Sequence, residues 1–456
     1  MENIKNIDER ISELLDSRRY GELIGEIGHI PSVDLAEIFE RLPERHRIKF
    51  FRLLPKDTAS EVFIHTERET REALIEAFLD SEVSEILSEL YLDDTVDIIE
   101  EMPAHIVKKI LKNSSGESRS KINELLGYPK DSAGTIMTTE YVRLVENMSV
   151  GEAIAHLRSV AIDKETVYTC YVTDSERRLI GIVTAKDLLI SPYETRISDI
   201  MQSSIIYSYT GDEREAVARK IEKYGFLALP IVDNEKRLVG IVTVDDAIDV
   251  LGEETEEDIS KMAAITPSEI PYLKSSALSI FKARIPWLLL LMISATLSST
   301  ILASFEARLA GVLVLFVPML MDTGGNSGNQ ASVTLVRGLS LGEITLSDFL
   351  LVWLKEIRVG LYCALSLGVV AFIKIMLVDR FIMNNPEVTL SVGLVVSITL
   401  GVTVIIAKLV GASLPILARR VGLDPAVMAS PFITTAVDAI SLVVYFLIAY
   451  PFFSLG

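Results

Sequence analysis

The sequence has 456 residues, 49% of them hydrophobic, and a formal net charge of −19 at pH 7. Residues 271–456 carry 12 basic and 9 acidic side chains, whereas residues 1–270 carry 32 basic and 54 acidic ones. An acidic first part followed by an apolar second part excludes a single soluble domain. Because acidic surfaces repel phosphates, the composition argues against nucleic acid as a partner and favours metal cations.

Cysteine usage and the N-terminal sequence indicate a reducing, cytoplasmic setting for the first part. The two cysteines, Cys170 and Cys363, form no CxxC pair, so we expect neither a disulfide framework nor a thiolate metal site. The first residues, MENIKNIDER, lack the apolar core of a signal peptide, which predicts that residues 1–270 stay in the cytoplasm. The P-loop, HExxH and GxSxG motifs do not occur, and we therefore do not expect an enzyme.

Residues 1–130 predict an acidic domain of short α-helices. The stretches AEIFERLP, FFRLLP and TVDIIEEMP run to Pro43, Pro55 and Pro103, and proline ends a helix or begins the next one. A succession of short amphipathic helices with acidic outer faces favours a small α-solenoid. An ordinary helical bundle is the alternative.

Residues 131–252 contain an internal repeat. Met137 and Met201 occupy equivalent positions 64 residues apart, and Gly181 and Gly240 occupy equivalent positions 59 residues apart. Each copy has a turn-rich start, a helical stretch containing Glu-Ala, and β-rich strands that end in GIVT before another helix. The repeat resembles a tandem pair of CBS domains. That resemblance implies an α/β sensory module that binds adenosine nucleotides or metal ions; a structural spacer is the alternative.

An acidic segment, VDDAIDVLGEETEEDISKMAAI, follows the repeat. We predict an acidic connecting helix over residues 253–280 that leads to the first membrane span. A solvated linker is the ordinary interpretation of such a charge run.

Residues 281–456 predict a transmembrane domain of five helices, because apolar runs of this length span a bilayer. The runs are Ile285–Phe305, Leu309–Val336, about Val359–Val378, Val388–Ala418 and Ala426–Tyr450. Basic residues fall mostly in loops on the side of the N-terminus, which predicts a cytoplasmic N-terminus and an external C-terminus. Those on the N-terminal side are Lys274, Lys282, Arg284, Arg337, Lys355, Arg358, Arg419 and Arg420, against Arg308 and Arg380 on the other side.

Asp438 is the most informative residue of these spans. It has 12 uncharged residues on each side, so we place it near the bilayer midplane. A carboxylate there costs on the order of 2.5–3.5 kcal/mol to insert, which points to a function that retains it. All five histidines precede the spans, so the spans are better suited to bind a hard cation than a soft metal. A structural ion pair with Lys374 or Lys408 is the alternative.

Pro318 and the segment MDTGGNSGNQ predict interruptions of the second span. A broken helix exposes backbone groups that must face protein or a water-filled path. Gly324, Gly325 and Gly328 with Asn326 and Asn329 would then offer oxygen atoms to a hydrated ion. Close packing of helices at the glycines is the alternative.

The last span begins DPAVMASPFITTAVDAI, where two prolines should loosen the first turns. Thr434 and Thr435 fall at helical spacing from Asp438, on one side of the helix. We expect this oxygen-lined side to face the glycine segment.

The helical acidic domain, the CBS pair, the acidic linker, GGNSGNQ and DP…SP…TT..D together resemble the MgtE-type magnesium channels. The resemblance covers nearly the whole chain. It implies a homodimer in the plasma membrane with a pore on the two-fold axis and Asp438 of each subunit at the ion site. It also implies magnesium uptake that is closed by cytoplasmic Mg²⁺ bound among the helical domain, the CBS pair and a plug helix. Ser430 departs from the asparagine that some relatives carry before the proline.

The resemblance also implies site residues. Those expected along the ion path are Gly324, Gly325, Asn326, Asn329, Thr434, Thr435 and Asp438. Those expected to bind Mg²⁺ besides Asp438 are Asp93, Asp97, Asp212, Glu213, Asp245, Asp246, Asp249, Glu253, Glu254, Glu257, Asp258 and Asp424. ATP is a candidate ligand of the CBS pair. The alternative functions are a nucleotide-responsive membrane sensor and a transporter of another divalent cation.

Overall fold

The computed structural model describes residues 2–268, 272–273, 275–306, 311–428 and 430–453. The chain divides into two units, Met1–Gly252 and Glu253–Gly456. Lys274 and Arg308, which enter the predicted orientation, lie outside the described residues, as does the side chain of Ser430.

The first unit begins with short helices whose starts are set by proline. Pro43, Pro55 and Pro103 directly precede α4, α5 and α9, as predicted, because the fixed φ of proline suits the start of a helix. The helices are α1 Glu2–Asp16, α2 Tyr20–Ile27, α3 Ser32–Arg41, α4 Glu44–Phe51, α5 Lys56–Ile64, α6 Arg68–Ala77, α7 Asp80–Glu89, α8 Leu92–Glu101, α9 Ala104–Asn113 and α10 Gly116–Leu125.

Alternate helices of this region stack on each other: α1 packs on α3, α3 on α5, α5 on α7 and α7 on α9. Aromatic side chains fill the space between them. Phe51 lies 5.3 Å from Phe78 and 5.9 Å from Phe39 between ring centroids. Full burial of one such side chain contributes about 1.5–3 kcal/mol, so the apolar stripes of these short helices hold the stack together.

The repeat folds as two three-stranded sheets of the same topology. In each, the first strand is parallel to the second and the second is antiparallel to the third. The first copy contains β1 Val142–Val145, α11 Val150–Val160, β2 Thr169–Thr173, β3 Leu179–Thr184, α12 Ala185–Ile190 and α13 Ile197–Ile200. The second contains β4 Ser208–Tyr209, α14 Arg214–Tyr224, β5 Ala228–Val232, β6 Leu238–Thr243 and α15 Val244–Met262.

The two copies exchange their leading segments. A Cβ on Gly240 would lie 2.8 Å from Met137 Sδ, and a Cβ on Gly181 would lie 2.5 Å from Met201 Sδ. Thr138 accordingly pairs with Ile241 of the other copy. The glycines recur in the repeat because a methionine of the other copy crosses each strand at that point.

The second unit contains, in its described residues, the end of α15 and five long helices. They are α16 Ala277–Glu306, α18 Val317–Ser340, α19 Phe349–Lys374, α20 Leu390–Arg420 and α21 Ser430–Phe453, with the single turn α17 Gly311–Val314 before α18. A π-helix, Ile375–Ile382, continues α19, and a 3₁₀ turn, Pro425–Met428, precedes α21. Four of these helices, all except α18, are long and apolar enough to cross a membrane. That α18 also crosses stays a prediction.

The predicted connecting helix over residues 253–280 is wrong in its bounds. The helix α15 begins at Val244, where Thr243 and Asp246 hydrogen-bond at its start, and it ends at Met262. Ala264 then takes a left-handed φ of 52°, which cannot continue a helix. The acidic segment therefore belongs to the helix that closes the second CBS repeat.

The predicted break at MDTGGNSGNQ is also wrong. All ten residues lie within α18, which runs from Val317 to Ser340. The interruption in this apolar run falls earlier, at residues 315–316, and Pro318 stands in the first turn of α18. Tertiary packing on the glycines outweighs their low helix propensity of about 1 kcal/mol each.

Candidate functional site

The glycines of α18 form a packing face. A Cβ on Gly324 would lie 2.9 Å from Ser441 Oγ and from Thr403 Cγ2, and one on Gly325 would lie 3.0 Å from Thr434 Cγ2. The glycines thus let α18 approach α20 and α21 closely, which is the alternative given above for this motif. They do not provide an open backbone to an ion.

The closest helix approach joins Gly328 and Gly411. A Cβ on Gly411 would lie 2.1 Å from the carbonyl oxygen of Gly328. We expect Gly411→Ala to separate α18 from α20 and to lower stability by about 1–3 kcal/mol, the usual range for overpacking. Thermal unfolding of the purified protein in detergent measures this. Gly311→Ala is the control because a Cβ there meets nothing within 4 Å, and equal unfolding temperatures would contradict the packing role.

Asp438 lies where α21 faces α18. Its Oδ1 atom is buried and has no hydrogen-bond partner among the described residues, and Asp322 is close enough to act on it electrostatically. Among the described residues Asp438 forms an ion pair with neither Lys374 nor Lys408, and Lys374 instead pairs with Asp379 at 2.9 Å. A buried carboxylate oxygen without a donor is suited to bind a cation or its water shell.

The threonines beside Asp438 differ in their contacts. Thr434 packs against Gly325 and so lies between α18 and α21. Thr435 donates from Oγ1 to the carbonyl of Pro431 at 3.0 Å, which engages its hydroxyl within the helix. Thr434 stays a candidate for contact with the ion path because of its position between α18 and α21.

A polar stripe runs along the exposed face of α18. Asp322, Asn326, Gln330 and Thr334 recur at every fourth residue and are exposed, whereas the glycines between them are buried. Asn329 lies at the edge of the stripe, with a buried Oδ1 that has no partner in the described part of the chain. Sequence reasoning found the asparagines but missed Gln330 and gave no role to Asp322; the four-residue spacing was the signal.

Carboxylates gather in the first unit around Asp93 at the start of α8. One oxygen from each of Asp93, Glu140 and Glu165 lies within 4.8 Å of the others. Asp93 is only 8% exposed, and its Oδ1 has no hydrogen-bond partner among the described residues. Three oxygen ligands at this spacing fit a hard divalent cation. We call these three residues the acidic site.

Like charges around the acidic site raise the pKa of several carboxyl groups. Burial, and then the charge of Asp246, raises the pKa of Asp94 to about 6 and that of Asp97 to about 7. Burial, and then the charge of Asp94, raises the pKa of Glu165 to about 8. Burial also raises the pKa of Asp246 to about 6. The ionised cluster is therefore unfavourable without a cation.

We expect cation binding at the acidic site to release protons. The raised pKa values, up to about 8 for Glu165, mean that the folded metal-free protein holds protons that unfolded carboxyl groups lose near pH 4. Its stability should therefore fall as pH rises from about 4 to about 8, and added Mg²⁺ should offset the loss. Titrating Mg²⁺ into weakly buffered protein at pH 7 should acidify the solution, and Glu165→Gln should reduce this acidification. Equal proton release by both proteins would contradict this assignment.

The predicted Mg²⁺ ligands of the first unit are only partly brought together. Asp93, Asp97 and Asp246 interact electrostatically, and Asp245 and Asp249 act on Asp246. Asp212 instead pairs with Lys220 at 3.3 Å and accepts a hydrogen bond from the Tyr209 N–H at 3.1 Å, and Glu213 precedes α14. Sequence reasoning missed Glu140 and Glu165, which stand alone in the first CBS repeat.

In the second unit, Lys261 at the end of α15 joins two of the predicted ligands. Its Nζ lies 2.6 Å from Glu257 Oε1 and 2.6 Å from Asp424 Oδ2. The neighbouring Asp258 accepts a hydrogen bond from Ser340 Oγ at 3.1 Å. The end of α15 is thus attached to the end of α18 and to the segment before α21. Glu253 and Glu254 lie on the same helix.

Comparison with known proteins identifies the family. The MgtE profile, described as a divalent cation transporter, matches residues 317–448, the MgtE intracellular N domain matches 30–131, and the CBS domain matches 133–193 and 197–253. The chain is 37% identical over 440 residues to the magnesium transporter MgtE of Thermus thermophilus, covering 95% of each chain. The chain belongs to the MgtE family. It is also 31% identical to the magnesium transporter MgtE of Bacillus subtilis, covering 97% of this chain and 96% of that one.

Two solved structures resemble about half of the chain. The soluble part of a magnesium transporter superposes with a TM-score of 0.52 at 32% identity, covering 55% of this chain and 99% of that one. The cytosolic domain of the Mg²⁺ channel MgtE in complex with ATP gives 0.51 at 36% identity, covering 53% and 99%. The predicted membership of the MgtE family, with its CBS pair and apolar helices, is confirmed.

Proposed function

We propose that the protein is a Mg²⁺-selective channel or transporter for magnesium uptake that cytoplasmic Mg²⁺ closes. The observation that carries the transport assignment is Asp438, a carboxylate between two long uncharged stretches whose buried Oδ1 lacks a donor among the described residues. Similarity to magnesium transporters over 95% of the chain supports Mg²⁺ as the ion.

We propose that α16, α18, α19, α20 and α21 all cross the plasma membrane. The distribution of basic residues supports a cytoplasmic N-terminus and an external C-terminus. The stacked helices α1–α10 form a small solenoid beside the CBS pair in the cytoplasm. Polar side chains at membrane depth avoid lipid, so the exposed polar stripe of α18 should contact water or a second copy of the chain. This supports a homodimer with the ion path between its subunits.

The chemistry of the path suits a hydrated ion. Mg²⁺ loses its water reluctantly and usually keeps several water molecules when bound by protein. The carboxylate of Asp438 and the amide oxygens of the stripe on α18 can accept hydrogen bonds from that water. A ring of carboxylates at the path favours a divalent over a monovalent ion, because attraction grows with ionic charge.

We propose that the acidic site regulates the path. Asp246 acts electrostatically on Asp93 of the acidic site and on Asp97, and without a cation this repulsion between like charges favours separation of α8 from the start of α15. These carboxylates come together when they bind Mg²⁺. Tighter Mg²⁺ binding by this arrangement shifts the population toward the closed state. The buried Oδ1 of Asp93 has no hydrogen-bond partner among the described residues, which supports a role for Asp93 as a ligand of the cation.

The helix α15 is the proposed plug. Its first turn contains Asp246, which acts electrostatically on Asp93 of the acidic site, and its last turn contains Lys261, which forms a salt bridge with Asp424 before the last helix. A rigid helix of 19 residues can transmit a change at one end to the other. Glu257, Asp258 and Asp424 are proposed Mg²⁺ ligands at its far end, where Lys261 now neutralises two of them.

We propose ATP as a ligand of the CBS pair. A relative that is 36% identical over this region was solved in complex with ATP. The two copies share one sheet topology, which supports the CBS pair predicted from the repeat. Equilibrium dialysis with ATP tests this proposal, and retention no greater than that of a matched buffer control would refute it.

Uptake by the purified protein in liposomes tests the transport function. Entrapped Mg²⁺-sensitive dye should report influx well above that of empty liposomes, and internal Mg²⁺ should suppress it. Flux of Co²⁺, Mn²⁺ or Ca²⁺ without Mg²⁺ flux would favour the transporter of another cation. ATP binding without any cation flux would favour the membrane sensor.

A further inference from the structure

The exposed stripe on α18 begins at an acidic residue, Asp322. Asp322 is exposed and precedes Asn326 and Gln330 on the same face. Charged groups at membrane depth face a bundle interior or water, since lipid contact costs about 2.5–3.5 kcal/mol by insertion scales. In the part of the chain that the structure describes, no helix covers this stripe enough to bury it. Asp322 therefore faces water or a second copy of the chain.

Asp322 and Asp438 are electrostatic neighbours on different helices. A Cβ on Gly324, two residues after Asp322, would lie 3.2 Å from Cγ1 of Val437, which directly precedes Asp438, and neither carboxylate forms a salt bridge within the described residues. Two like charges in close proximity inside a membrane are unfavourable unless a cation compensates them. No basic side chain of the described residues does so. A mobile cation can supply this compensation.

An unsatisfied hydroxyl group lies at the same crossing of α18 and α21. Ser441, one turn after Asp438, is 1% exposed, and its Oγ has no partner among the described residues. A Cβ on Gly324, two residues after Asp322, would lie 2.9 Å from this oxygen. Buried hydroxyl groups ordinarily find a hydrogen-bond partner. Water in a path at this crossing would supply one.

We propose that Asp322 is a second ion-binding carboxylate of the path, which holds a hydrated divalent cation together with Asp438. The proposal rests on the transport function proposed above. Helices α18 and α21 run antiparallel, and Asp322 stands near the end of α18 that we place outside. An entering ion meets Asp322 first. Its carboxylate concentrates divalent ions before they reach Asp438.

This role predicts a change in apparent affinity. A carboxylate acting on a divalent ion through one layer of water contributes on the order of tenfold in binding. Asp322→Asn should therefore raise the external Mg²⁺ concentration for half-maximal uptake on the order of tenfold while the maximal rate stays close to wild type. Asp322→Glu retains the charge and should behave like wild type.

Liposome uptake at fixed ionic strength, with external Mg²⁺ varied, tests the assignment. The neutral variants are Asp322→Asn and Asp322→Ser, so that a folding defect in one does not decide the result. Glu387→Gln removes one exposed charge from a loop of the same unit and is the matched control. It should leave the half-maximal concentration unchanged.

The outcomes separate this inference from the transport function. Half-maximal concentrations equal to wild type in both neutral variants would overturn the role of Asp322 while the transporter stands. A lower maximal rate with unchanged half-maximal concentration would show a structural role and would also overturn it. Absence of Mg²⁺ uptake by the wild-type protein itself would refute the transport function.

Discussion

Asp438→Ala should abolish Mg²⁺ uptake. Its carboxylate lies within a span and has a buried oxygen that lacks a hydrogen-bond donor among the described residues, so the ion is its expected partner. Without it the path loses a negative charge from each subunit of the proposed dimer. Uptake of Mg²⁺ by liposomes that contain equal amounts of the variant and the wild-type protein measures the effect.

The stability of the same variant distinguishes a functional from a structural carboxylate. Inserting a carboxylate at this depth costs about 2.5–3.5 kcal/mol, so its removal should leave the unfolding temperature unchanged or raise it. If the carboxylate instead stabilised the fold, its removal would lower the unfolding temperature. Asp379→Asn is the control, since Asp379 forms a salt bridge with Lys374. Wild-type flux through Asp438→Ala would remove Asp438 from the path.

Local signals in the sequence predicted much of the fold. Pro43, Pro55 and Pro103 precede helices because the fixed φ and the missing N–H of proline act on their immediate neighbours. The repeat could be found in the sequence because both copies need a glycine where the methionine of the other copy crosses the strand. Such constraints depend on a few adjacent residues or on a recurring spacing.

The glycine segment shows where local signals fail. Three glycines within five residues predict a weak helix by propensity. In the structure, Gly324 and Gly328 instead permit close contacts with α20 and α21, which a fragment of sequence does not contain. Packing between distant helices decided the conformation. The ion-facing side of α18 then proved to be the polar stripe rather than the glycine side.

The acidic site illustrates a second limit. Asp93 belonged to an evident cluster of carboxylates, whereas Glu140 and Glu165 are single acidic residues among β-strands and turns. Only the fold brings their oxygens within 4.8 Å of one another. Glu253 and Glu254 were predicted as ligands because they belong to a dense run of charges. A single acidic residue gives no such signal in a sequence.

The regulatory proposal predicts a large loss of inhibition when three carboxylates of α15 are neutralised together. In the variant Asp246→Asn, Asp249→Asn, Glu257→Gln, the start of α15 loses its charge repulsion and its cation ligands. The variant also loses the salt bridge between Glu257 and Lys261. The concentration of internal Mg²⁺ that half-inhibits flux should rise at least about tenfold, which corresponds to about 1.4 kcal/mol of lost binding. Conduction at low internal Mg²⁺ should persist.

Patch recordings with internal Mg²⁺ varied decide between regulation and a solvated linker. Oxygen-ligand sites rich in water are weak, so wild-type inhibition is expected in the range of about 10⁻⁴ to 10⁻³ M, by analogy with weak calcium modules. A control triple variant removes the same charge from exposed positions of α3 and α4. Its substitutions are Asp34→Asn, Glu37→Gln and Glu44→Gln. If this control variant loses inhibition as strongly as the α15 variant, net charge rather than the α15 carboxylates controls the path. If inhibition in the α15 variant equals that of the wild type, the acidic segment of α15 is a solvated linker.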